Sequence, residues 1–175
     1  MIQALYQAYL GELFGIRFFQ IFEQQATDAK TKRKWQLLIA LEERTAALLR
    51  EYLEARGTTC PQTHQEMEDK ALVQATSWQH LCWNELMEAL APWIAGYTNH
   101  YRELASQYQA PVMLMVAEHE QAILSFVQLE LKQAPSLNPL IEFLERYPAN
   151  SQHLSGELLS ELSSSVTSSP SLKKV

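Results

Sequence analysis

Apolar residues recur three and four positions apart over long stretches with few glycines or prolines, and this spacing dictates long amphipathic helices. Leu5, Tyr9, Leu13, Ile16, Phe19 and Phe22 mark one face of a helix over about residues 2–28. Trp35, Leu38, Leu41, Thr45, Leu49 and Tyr52 repeat the pattern over about 31–56, and Gly57 follows as a natural C-cap. Thr63 followed by Glu66 fits a capping box, and the stretch from there to Tyr108 has no proline before Pro92 and no glycine before Gly96. As one helix that stretch would be about 65 Å long at 1.5 Å per residue, too long for a compact domain of this size. A break is therefore predicted near Thr76–Ser77, giving a short helix and then a long one over about 78–107, with a kink at Pro92. Pro111 suits the first turn of a further long helix running to about Lys132, and Asn138–Pro139 begins a short one that ends before Pro148.

No strand pattern, glycine-rich phosphate loop or solenoid repeat interrupts these helices, so the expected fold is all-α, a four-helix bundle with a short extra helix after it. At 175 residues one domain over 1–148 is expected, followed by a Ser-rich extension over 149–175, since residues 151–171 hold nine serines. The spacing of Leu154, Leu158, Leu159 and Leu162 permits a last short helix before a mobile tail. A net charge of -6 argues against a nucleic-acid partner, which needs a basic face. The local cluster Lys30-Thr31-Lys32-Arg33-Lys34 reads as a solvated helix start or inter-helix turn. Cys60 and Cys82 lack the spacing of a zinc site or a disulfide framework. There is no basic segment followed by an apolar one at the start, and no long uncharged apolar run, so a cytoplasmic protein without a membrane partner is expected.

Carboxylates recur on the apolar faces. Glu12 shares a helical row with Leu5, Tyr9, Ile16 and Phe19, a costly placement unless the charge is paired or coordinated. Glu42 follows Trp35 and Leu38 on one row, and so is favoured over Glu43 as the inward member. Glu85 follows Trp78 and Leu81, with Glu88 on a neighbouring row, and either can face inward. Within Glu118-His119-Glu120, His119 and Glu120 share rows with Val116 and Ile123, whereas Glu118 keeps company with Gln121 and Ser125 and is expected in solvent. Glu130 also falls on the inward side.

Inward Glu and His from different helices have the chemistry of a carboxylate-bridged metal pair, hard oxygen plus imidazole suiting iron or manganese. The order Glu12, Glu42-Glu43, Glu85 and Glu118-His119-Glu120 resembles that of ferritin-like, rubrerythrin-type di-iron carboxylate proteins over roughly residues 2–132. Glu85 and Glu118 are 33 residues apart, similar to the spacing between paired helices in that superfamily. The resemblance implies a four-helix bundle whose metals activate dioxygen, with Glu12, Glu42, Glu85, His119 and Glu120 as candidate ligands. It departs from the family in its Glu-x-x-His motifs: Glu42 is followed at that offset by Thr45, Glu43 by Ala46, and Glu118 by Gln121. The six-ligand site is therefore not carried over.

Three readings follow. The first in order is a ferritin-like bundle without a complete di-iron site, acting as a binding or oligomeric module with a protein partner or copies of itself. The second is a metal-dependent oxidoreductase or metal-binding protein using iron or manganese. The third is a non-metal, haem-oxygenase-like helical enzyme with a pocket between its helices and a carboxylate as acid or base. The bland alternative for the four glutamates is pairing with Arg17, Arg44 or Arg102. His100, beside Tyr97 and Tyr101, either fills core or meets a ligand. A geometric criterion separates coordination from ion pairing: in a metal site the carboxyl oxygens of Glu12, Glu42 and Glu85 converge within about 4 to 5 Å of the His119 ring.

Overall fold

A computed structural model describes residues 1–149, and all of its regular structure is helical. The order is α1 (Ile2–Gln25), α2 (Ala29–Glu54), α3 (Gln65–Trp78), α4 (Trp83–Tyr108), α5 (Pro111–Leu131) and α6 (Asn138–Arg146). Among the described residues no helix is long and apolar enough to cross a membrane. The helix and tail expected beyond residue 150 lie outside the described residues.

The helix ends follow local chemistry. Asp28 caps α2 by accepting a hydrogen bond from the Thr31 N–H at 2.8 Å, so only a three-residue turn separates α1 from α2 and the two pack as a hairpin. After α2 the chain closes with Gly57 N–H donating to Glu54 O and Thr58 N–H to Leu53 O, both at 3.0 Å. Gly57 has φ +80, which glycine adopts without strain. The break expected at Thr76–Ser77 falls slightly later, between Trp78 and Trp83. The anticipated Thr63–Glu66 capping box does not form, since α3 starts from His64 without a side-chain cap. Pro92 is accommodated inside a continuous α4, and Pro111 opens α5 as expected.

The hairpin α4/α5 packs against α1/α2 through α5 and α2, and α6 lies across both of these. One end of the interior is aromatic: Trp35 stacks on Phe19 and Phe22 and meets Trp83 edge-on at 5.0 Å. Such ring pairs add about 0.5–1.5 kcal/mol each beyond the area they bury. Behind them the Lys34 ammonium contacts Glu130 Oε2 at 2.5 Å, and the Trp83 indole N–H donates to the same oxygen at 2.9 Å. Glu130 thus faces inward as its row predicts, but Lys34 is 8% exposed rather than part of a solvated cluster.

The closure is incomplete. α1 and α4 do not pack directly along their lengths; they meet through rings, Phe14 with Trp93 at 5.5 Å and Phe18 with Trp93 at 6.0 Å. α3 packs on α1 beside this gap. A cavity of about 1060 Å³ lies between α1, α3 and α4, and reaches Glu42 on α2 and His119 on α5.

Candidate metal centre

Three side chains from three helices meet in the cavity wall: Glu12 from α1, Glu42 from α2 and His119 from α5. Each offers a ligand atom, and these atoms lie within 4.8 Å of one another. All three residues are buried, at 3%, 5% and 2% exposure. His119 Nε2 is 3.2 Å from Glu12 Oε2 and 3.5 Å from Glu42 Oε2.

Thr45 of α2 orients the His119 ring. The Thr45 hydroxyl lies 3.1 Å from Leu41 O and 2.9 Å from His119 Nδ1. When its single proton goes to Leu41 O, its oxygen accepts from His119 Nδ1–H. In that tautomer Nε2 carries the lone pair and presents it to the two carboxyls. Phe143 of α6 meets the imidazole edge-on at 5.7 Å, which fixes the ring plane from the other side.

Glycine at position 15 makes room for the second carboxylate. A Cβ there would stand 2.6 Å from Glu42 Cδ and 2.7 Å from its Oε2, so any larger residue on α1 would displace the Glu42 head.

The electrostatics favour a proton or a cation between the two carboxyls. Burial, then the neighbouring Glu42 and Glu120 carboxyls, push the Glu12 acid well above the usual range. Burial lifts Glu42 to about 7 and lowers His119 to about 3, so the imidazole is neutral at ordinary pH. Three acceptors facing one another repel unless a proton or cation sits among them, and Glu12 Oε2 has no hydrogen-bond partner. Among the described residues no lysine or arginine forms an ion pair with Glu12, Glu42 or Glu120. Arg44 instead donates to Tyr147 O and Arg102 to Gln121, which overturns the expected role of these two arginines.

Bonds near 2.1 Å to a first-row divalent ion hold adjacent donors about 3.0 to 3.4 Å apart. The 3.2 Å separation of Nε2 from Glu12 falls within that range, and the 3.5 Å separation from Glu42 lies just beyond it. The donor set therefore fits one ion on mixed carboxylate and imidazole ligands.

Glu85 does not join it. It is exposed in the first turn of α4 and accepts from the Cys82 backbone N–H at 2.8 Å, a capping bond that holds its carboxyl below the usual range. The α4 residues level with the centre are Ile94, Thr98 and Tyr101. Thr98 donates to the Glu120 carbonyl at 3.3 Å, some 13 residues or about 20 Å along the helix from Glu85. Glu88 is exposed as well. With no carboxylate from α4 at this level, the group among the described residues consists of Glu12, Glu42 and His119.

Glu120 lines the cavity next to the centre but outside the three-atom set. Burial and the Glu42 charge raise its carboxyl well above the usual range. The Tyr101 phenol, also in the cavity wall, is raised by burial and by the Glu12 and Glu120 charges. Glu118, expected in solvent, is instead half-buried, accepting from Tyr147 Oη at 2.7 Å and pairing with Arg146 at 3.0 Å.

Thr45 and Gly15 escape detection from sequence as site residues. The one available signal for Thr45 is its position three residues after Glu42, where a ligand is expected. Comparison with protein-family models, with curated proteins and with solved structures finds no match to this chain, so the centre is read from its own geometry.

Proposed function

We propose that this chain is a metal-binding helical-bundle protein in which Glu12, Glu42 and His119 hold one iron or manganese ion beside a substrate-sized cavity. The observation that carries this reading is the Thr45 hydrogen bond, which aims the His119 Nε2 lone pair at two buried carboxylates that have no lysine or arginine partner. The pairs α1/α2 and α4/α5, with donors on α1, α2 and α5, support a ferritin-like bundle reduced from a two-metal site to a one-metal site. A bound ion of this kind supplies Lewis-acid or redox chemistry at the cavity wall. The chain's own part is to present three oriented donors, to leave the cavity side open to a ligand, and to keep bulk water off the α6 side with Phe143. Tyr101 and Glu120, both in the wall, are the groups placed to exchange a proton with a molecule bound there.

The rival reading is a metal-free binding or oligomeric module. Its surface would have to come from the exposed apolar side chains Leu72 and Val73 of α3, Tyr97 and Tyr108 of α4, Leu114 of α5 and Ile141 of α6. The test is metal analysis of full-length protein loaded with iron(II) or manganese(II) and desalted, with circular dichroism as the folding control. About one ion per chain is expected, and loss of it in Glu12→Gln and His119→Ala. Trace metal unchanged by both substitutions overturns the proposal.

A further inference from the structure

The cavity is long, and its two ends differ. Its wall follows α1 from Gln7 to Phe19 and α4 from Leu90 to Tyr101, a length of about 16–18 Å at 1.5 Å per residue. Trp83 at the start of α4 meets Trp35, which stacks on Phe22 near the end of α1, whereas Phe14 meets Trp93 further along α4. The two helices therefore run antiparallel, so Phe18 and Phe19 share one end of the cavity with Leu90, and Gln7 shares the other with His100. α3 runs alongside α1: Pro61, just before it, accepts from Tyr9, and Trp78 at its end meets Phe18 edge-on at 5.8 Å. Gln65 at its start thus joins the Gln7 end. The Phe18 end is closed and apolar, with Phe18, Phe19 and Leu90 at 1%, 5% and 1% exposure. The Gln7 end is polar, and Gln7, Gln65 and His100 are exposed. Val73 and Tyr97 also line the cavity and are exposed, so apolar side chains rim its opening. A blind apolar pocket behind a polar mouth matches a molecule with one long apolar tail and one polar head.

We propose that the cavity binds a single-tailed amphiphile lying lengthwise, its hydrocarbon tail in the closed end at Phe18, Phe19 and Leu90 and its polar head among Gln7, Gln65 and His100. Glu12 stands between these ends on α1, so the metal centre faces the chain between its head and its tail tip. This rests on the metal-binding reading for what the bound molecule is placed to meet, and not for its binding.

The test titrates straight-chain alcohols from butanol to hexadecanol into full-length protein, with and without manganese(II), followed by tryptophan fluorescence because Trp93 is in the wall. The head is uncharged, so the series reads the tail alone. Affinity is expected to rise about fourfold per methylene and to level off once the tail fills the closed end, at one molecule per chain. Gly11 lines the cavity between its two ends, and a Cβ there meets no atom within 4 Å, so Gly11→Leu narrows the passage without a clash. It is expected to weaken decanol roughly tenfold or more, the equivalent of about two methylenes. Gly96 has the same free space but is not in the cavity wall, and Gly96→Leu is expected to bind decanol as the parent does. A flat series, an affinity that climbs without limit, or decanol binding unchanged in Gly11→Leu overturns the proposal. Metal content measured on the same samples separates the two readings. An intact chain-length series without bound metal fails the metal-binding proposal alone, and bound metal with a flat series fails this one alone.

Discussion

Replacing Thr45 with valine tests the metal centre without touching a ligand. Valine keeps the shape of the fully buried side chain and removes only the oxygen that accepts from His119 Nδ1–H. Two losses follow. The Nδ1–H is left without a partner in a site where the imidazole is 2% exposed, a cost of about 1–3 kcal/mol in stability. The imidazole is also freed to take the other tautomer, with its proton on Nε2 shared with Glu12 or Glu42, and that tautomer cannot ligate. Removing such an orienting partner costs about 10–100-fold in metal affinity, or roughly 1.4–2.7 kcal/mol. Thr45→Ser retains the oxygen and should retain most of the affinity. Competition with a chromophoric chelator gives the affinities, nitrogen-15 NMR of His119 gives the tautomer, and chemical denaturation gives the stability. A valine variant that binds metal as tightly as the parent would refute the reasoning. So would a parent protein, free of metal, whose His119 carries its proton on Nε2.

Four further outcomes are expected. Gly15→Ala should change the stability of the metal-free chain by only about 1 kcal/mol, because alanine's better helix propensity offsets the shift of a flexible Glu42 head. Its metal affinity should fall roughly tenfold or more by chelator competition, since the Glu42 carboxyl loses its place. Lys34→Met strands Glu130 in the interior and should cost about 3–5 kcal/mol by denaturant titration, whereas Lys34→Met with Glu130→Leu should recover much of the loss. Gln133, which holds φ 55 after α5, is a site for glycine, and Gln133→Gly should raise stability by about 0.5–1 kcal/mol. The metal-free protein should also have a pH optimum. His119 titrates near 3 when folded against about 6.5 unfolded, so below about 4.5 the unfolded chain binds more protons and stability rises with pH. Glu42 titrates at about 7 when folded against about 4.5 unfolded, and Glu12 is raised too, so above about 4.5 the folded chain holds more protons than the unfolded one and stability falls as pH rises through about 7. Thermal melts with and without manganese(II) check this: the ion should abolish the loss on the alkaline side.

The helices were legible because their signal is repetitive, each turn of α1 and α2 restating the same apolar face. The same periodicity placed Glu12, Glu42, His119 and Glu120 on inward rows, and all four line the cavity. It failed at Glu85 because a row says which side of a helix a residue takes, not how far along the bundle it stands. The α3–α4 connection begins α4 at Trp83, which puts Glu85 in the capping turn. Lys34 was misread as solvated because charge clustering along the chain carries no information about a partner 96 residues away. Thr45 looked like an absence when judged as a ligand, and acquires its role only once α2 and α5 are side by side.

The gap between α1 and α4 has a thermodynamic corollary. Wall atoms facing empty or water-filled space give up the dispersion contacts that a packed interior would provide, so the unliganded fold is less stable than its composition allows. Any molecule that fills the gap restores those contacts in the native state alone, and by mass action adds about 2.7 kcal/mol at a hundredfold excess over its dissociation constant. The melting temperature of the chain is thus a direct reporter of occupancy, readable for compound after compound before any reaction is known.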